Sequence, residues 1–93
     1  MKIKISKQIM INGAETDEIE LYFDKLVGAD LIAASRESEI LGDKALVPEL
    51  SKQYLAVVAA KASGLTVDDI MRLPAKDFTT ITLAVQNFLL SIA

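Results

Sequence analysis

The 93-residue sequence contains no histidine and no cysteine. Without histidine, no side chain has an unperturbed pKa suited to proton transfer near neutral pH. Without cysteine there is no disulfide frame, no thiol nucleophile and no thiolate metal site, and a reducing cytosol poses no obstacle to folding. The 4 glycines never gather into the loop that cradles a phosphate. The acidic residues are spread among helix caps and solvated faces, without the spacing of metal ligands. Long apolar runs are missing as well, and the longest falls well short of the roughly 20 residues that span a bilayer. The opening MKIKISKQIMI is broken by charges, unlike the apolar core of a signal peptide. These absences argue against an enzyme, a bound cofactor or metal, and a membrane partner.

What is present is aliphatic. Hydrophobic residues make up 52% of the chain, and the mean hydropathy is +0.35. Average usage is about 45–50%, so the modest excess points to apolar surface kept for a protein partner. A net charge of −3 gives no general attraction to nucleic acid. The length suits a single domain with one core.

The hydrophobic period changes once along the chain. From Lys2 to Ile11 it alternates, with Ile3, Ile5, Ile9 and Ile11 on one side and Lys2, Lys4, Ser6 and Gln8 on the other. Asn12-Gly13 is a strong turn signal, and Ile19, Leu21 and Phe23 then alternate again. This predicts a hairpin over 2–23 whose loop is widened by Ala14 to Asp17. A lone hairpin is marginal in water, so its isoleucine face must lie on the chain's own helices or extend a neighbour's sheet.

Beyond Ala29 the period is helical. Leu31, Ala34, Ser35, Ser38 and Leu41 share a narrow face, Arg36, Glu37 and Glu39 fall largely away from it, and Gly42 can end the helix. Gly42 to Leu50, with Val47-Pro48, reads as a connection within the domain. Ser51 is placed to cap the next helix and Gly64 to end it. Thr66 and Asp69 have capping-box spacing, and Pro74 stops one helix and suits the first turn of the next. The elements expected are therefore a hairpin and four helices near 28–41, 51–63, 67–73 and 75–91, a single α+β domain over 1–93.

Four segments carry a family resemblance: Leu26-Val27-Gly28-Ala29-Asp30-Leu31-Ile32, Ala59-Ala60-Lys61-Ala62-Ser63-Gly64-Leu65, Leu73-Pro74-Ala75-Lys76-Asp77-Phe78 and Val85-Gln86-Asn87-Phe88-Leu89. In order and spacing, and together with the basic-then-apolar first strand, they resemble the small tail assembly chaperones of contractile-tailed, Mu-like phages and prophages. The likeness covers nearly the whole chain, although each motif alone consists of helix caps and aliphatic positions. Val27 departs from the family pattern, which has Thr there, so the first helix is expected to start without a side-chain cap. The resemblance implies a non-enzymatic factor that binds the tape measure protein during tail assembly. It also implies action in the cytoplasm of the bacterial host, absence from the finished tail, and room for a longer frameshifted form.

Two rival readings stand beside it. Ala60, Gly64, Leu65, Ile70 and Leu73 match the spacing of a helix-turn-helix, the signature of a DNA-binding regulator. Its second helix, however, would offer Asp68, Asp69 and only Arg72 to the phosphate backbone, and an ordinary helix pair explains the same spacing. The other rival is a structural tail or capsid component retained in the particle.

The last helix is the candidate site. At about 100° per residue, Phe78, Ile81, Val85, Phe88, Leu89 and Ile92 form one stripe, expected to face the core, while Leu83 and Leu90 lie nearly opposite. A helix apolar on two sides is either enclosed by its own domain or has a partner on the second side. Leu83 and Leu90, rimmed by Thr79, Gln86 and Asn87, are accordingly the expected partner-binding residues, for the tape measure protein or for self-association.

Overall fold

The computed structural model describes residues 1–42 and 51–91. Two antiparallel strands, β1 (Lys2–Ile11) and β2 (Ala14–Glu20), are followed by a short 3-10 turn at Phe23–Lys25. Among the described residues four α-helices come next: α1 (Gly28–Ile40), α2 (Lys52–Ser63), α3 (Val67–Met71) and α4 (Ala75–Leu89). The architecture is α+β, a hairpin laid on four helices. The connection expected from Gly42 to Leu50 falls, beyond Gly42 itself, outside the described residues, as does Ile92.

The hairpin turn is tighter than expected. Asn12 and Gly13 have φ of 53° and 79°. Positive φ at both central residues is what a two-residue turn between right-twisting strands requires. Ala14 to Asp17 therefore belong to β2 and not to a widened loop. The second strand stops at Glu20, before Phe23, which enters the 3-10 turn.

Nor is the alternation of β1 continuous. Lys2, Ile3 and Lys4 pair with Glu20, Ile19 and Glu18, whereas Ile9, Met10 and Ile11 pair with Thr16, Glu15 and Ala14. Between these stretches β1 spends Ile5 to Gln8 while β2 spends only Asp17. Unbroken pairing would bring Asp17 to the face of Ile19. The irregularity instead sets half-buried Thr16 opposite Ile9 and leaves Asp17 exposed. Ile3, Ile5, Ile11 and Ile19 are buried, and Ile9 is half-buried.

The core centres on α2. Ser51 accepts from the Tyr54 amide at 3.3 Å to start it, and Gly64, at φ 75°, ends it. Of its 12 residues, 8 are buried, too many for a surface helix, so α2 must be covered on several sides. It packs against α1, α3, α4 and β2. The hairpin's Ile3, Ile5 and Ile19 join the same cluster as Val57, Val58, Ile70, Ile81 and Val85. The hairpin thus lies on its own helices, and a backbone bond from the Tyr22 amide to the Ala62 carbonyl (2.9 Å) ties its end to α2.

Helix α1 is the least amphipathic of the long helices. Only Ala34 and Ser38 are buried, Leu31 and Ser35 are half-buried, and Leu41 is exposed. Its start has no side-chain cap at Val27, whose amide instead donates to the Asp30 carboxylate at 2.9 Å. Its far end is held to α2 by Gln53, which donates to the Leu41 carbonyl at 3.2 Å. A Lys61–Glu37 ion pair (3.0 Å) adds a second tie.

Candidate interaction surface

Helix α4 is placed by its buried side. Ile81 and Val85 are wholly enclosed, and Thr82, also buried, donates its hydroxyl to the Phe78 carbonyl one turn back at 2.9 Å. Buried Asp77, in the first turn, accepts from both the amide and the hydroxyl of Ser6 on β1, at 3.0 and 2.8 Å. Sequence reasoning left this carboxylate among solvated and capping acids, because nothing local marks its partner. Phe78 and Leu89 are half-buried. Phe88, expected in the core stripe, is 39% exposed and stacks on Phe23 with ring centroids 4.5 Å apart. It lies within about 20° of the wholly buried Ile81 around the helix, but in the last turn of α4, where the Phe23 ring covers it only in part.

On the opposite side Leu83 and Leu90 are 52% and 54% exposed. Thr79 and Asn87 are exposed around them, and Gln86 is half-buried. Leu83, Thr79 and Gln86 share a cleft of about 190 Å³ with Lys52 and Leu55 of α2 and with Thr82. Leu90 and Asn87 lie outside that cleft, so the five expected residues divide between a concave portion and an open helix end. Covering the water-facing half of both leucines would be worth on the order of 2 kcal/mol.

Two further exposed apolar positions escaped the sequence reading. Ile32 and Ile40 of α1 are 62% and 84% exposed, on the side away from Ala34 and Ser38. The signal was available: they are a pair eight residues apart, close to the angle of Arg36 and off the small-residue face. A shallow apolar groove of about 290 Å³ also runs between Met71, Leu73, Ala75 and Phe78.

The α2–α3 pair has the residues of a helix-turn-helix but not its chemistry. Ala60, Ile70 and Leu73 are buried, and Gly64 makes the turn, so the spacing serves packing. Helix α3 is 5 residues long. Its Asp69 carboxylate accepts from the Thr66 amide (3.1 Å), and the Asp69 amide donates to the Thr66 hydroxyl (3.1 Å), closing the capping box. Arg72, the cation that segment offers, is paired with Asp69 and also donates to the Met10 carbonyl at 3.4 Å. The Thr66 amide, the Arg72 guanidinium and the Thr66 hydroxyl together hold the Asp69 carboxyl below its ordinary pKa. A groove-reading helix needs its cations free for phosphate.

Among the described residues no cluster of acidic side chains could hold a metal ion. Among them, too, no helix is long and apolar enough to cross a membrane. The family model for "Phage tail assembly chaperone proteins, E, or 41 or 14" matches residues 2–90. No curated protein and no solved structure matches the chain.

Proposed function

The chain belongs to the phage tail assembly chaperones, and from that premise we propose that it holds the tape measure protein through the exposed leucine face of α4 during tail assembly. The observation that carries this reading is the pair Leu83 and Leu90, about half exposed on a helix whose other side is locked into the core. Such a face suits an amphipathic helix of an elongated partner, with Leu83 at the cleft beside Lys52 as the anchor. The polar residues Thr79, Gln86 and Asn87 form the rim that keeps the unliganded face hydrated. Binding and release are reversible burial of aliphatic surface, with no chemical step, nucleotide or metal. The factor works in the host cytoplasm and leaves before the tail is complete.

Co-expression of the chain with the tape measure protein of the same phage tests this. The wild-type chain is expected to co-purify with it, and Leu83→Lys to lose it while keeping the wild-type circular dichroism and melting temperature. A lysine there stays in water in the free chain but becomes a buried charge in the complex. Full capture by a folded Leu83→Lys protein would remove α4 as the site. Finding the chain at stoichiometric levels in purified particles would replace the chaperone role with a structural one.

A further inference from the structure

We propose that, in the absence of a tail protein, the leucine face of α4 is covered by the outer face of α1 from a second copy of this chain. The two faces match in length. Ile32 and Ile40 lie about 12 Å apart along α1 and about 80° apart around it, with Arg36 midway. Leu83 and Leu90 lie about 10 Å apart along α4 and about 20° apart around it. Both helices pack on α2, and each turns its exposed pair away from its own buried residues.

Charge selects the pairing. The exposed part of α1 carries Arg36 and Glu39, while Glu37 is engaged by Lys61. Arg36 has no ion-pair partner among the described residues. Helix α4 exposes Lys76 and no carboxylate, because its Asp77 is turned inward to Ser6, and Lys52 stands beside Leu83. With the helices antiparallel, Ile40 meets Leu83 and Ile32 meets Leu90. Glu39 then approaches Lys52, and the Arg36 guanidinium approaches the side-chain oxygen of Asn87. An α1-to-α1 contact about a two-fold axis would oppose Arg36 to its own copy, which is repulsive. An α4-to-α4 contact would give Lys52 no carboxylate to meet, so the favoured contact joins unlike faces, and each copy added leaves one α1 face and one α4 face open. The same α4 face is the one assigned above to the tape measure protein, so a bound tail protein displaces the neighbouring copy. Only this displacement rests on the proposed function.

Sedimentation velocity of the full chain, without any tail protein, tests the contact. The wild-type chain is expected to associate as its concentration rises, and Ile40→Lys and Leu83→Lys each to remain monomeric and folded. Mixed in equal amounts, the two variants are expected to form a one-to-one dimer and nothing larger, since each keeps the face that the other lacks. A wild-type chain that stays monomeric, association by either variant alone, or a mixture that stays monomeric would overturn the proposal. Ile40→Lys is also expected to capture the tape measure protein at least as well as wild type, and reduced capture would overturn the displacement. Failure of the wild-type chain to capture the tape measure protein would count against the proposed function alone, because the sedimentation arms do not involve it.

Discussion

Ser6 and Asp77, 71 positions apart in the chain, make a two-point contact in which the amide and the hydroxyl of one residue both donate to the carboxylate of the other. The contact falls where β1 leaves its pairing with β2, so Asp77 supplies the acceptor that the sheet does not. As an acid in the first turn of α4 it also complements the positive end of the helix dipole. One carboxylate thus fixes the start of α4 against the irregular part of the hairpin.

Removing that acceptor should be costly. Asp77→Ala is expected to destabilise the chain by about 1–3 kcal/mol, because it strands the Ser6 amide. Ser6→Ala, which removes only the hydroxyl, should cost about 0.5–1.5 kcal/mol. Urea denaturation of the two single variants and the double variant would show the coupling. Strictly additive losses would mean that the two residues do not act on one another.

The hairpin faces should be unequal, and so should positions within the inner face. Ile5→Ala is expected to cost about 2–5 kcal/mol because the residue is buried. Ile9→Ala should cost less, since Ile9 is only half-buried. Lys4→Ala, on the exposed side, should stay within about 0.5 kcal/mol. Thermal or urea unfolding ranks the three. An Ile9→Ala loss equal to that of Ile5→Ala would contradict the shifted register.

Within α4, depth should outweigh size. Ile81→Ala empties a wholly buried site and is expected to cost about 2–5 kcal/mol. Phe88→Ala, despite removing a larger side chain, should fall below the roughly 3–5 kcal/mol of a core phenylalanine, because the ring is partly exposed. A double-mutant cycle with Phe23→Ala should return about 0.5–1.5 kcal/mol for the ring pair. If the cycle gives zero coupling, the stack contributes nothing of its own.

Acid should weaken the α3 cap. The Asp69 carboxyl is held below its ordinary pKa, first by the Thr66 amide and then by Arg72 and the Thr66 hydroxyl. The unfolded chain therefore takes up this proton at higher pH than the folded one. The stabilisation is complete above the ordinary carboxylate range and is lost as pH falls through that range toward the folded value. Wild type should thus exceed Asp69→Asn in stability near about pH 7, and the gap should narrow toward about pH 3. A gap that holds constant over that interval would show that the charge is not what the cap uses.

What could be read from the sequence and what could not divide by distance along the chain. The Asn12-Gly13 turn, the Ser51 cap, the Thr66–Asp69 box and the glycine ends of α1 and α2 are recognisable because each uses residues within about four positions of one another. The placing of Leu83 and Leu90 opposite the core stripe was legible for a related reason, because angle around a helix follows from sequence spacing, whereas spacing left open whether that side is enclosed or faces water. The same reasoning failed for Phe88, which shares the angle of buried Ile81 to within about 20° but sits in the last turn of α4, and spacing does not show how far along a helix its neighbours reach.

Local sequence thus determined which segments are helices and where they begin and end to within two residues, with α3 and α4 stopping at Met71 and Leu89 and not at 73 and 91. Tertiary structure alone decided where β1 breaks register, which acids are buried, and which aliphatic residues remain in water. Those outcomes are set by which neighbours close over a side chain. Asp77 is buried because Ser6 meets it from the other end of the chain. Ile32 and Ile40 stay exposed because α1 rests on α2 through Ala34 and Ser38 and has nothing described on its other side. Spacing within a single helix sets the angles of its side chains, but only the assembled neighbours decide which of those angles face water.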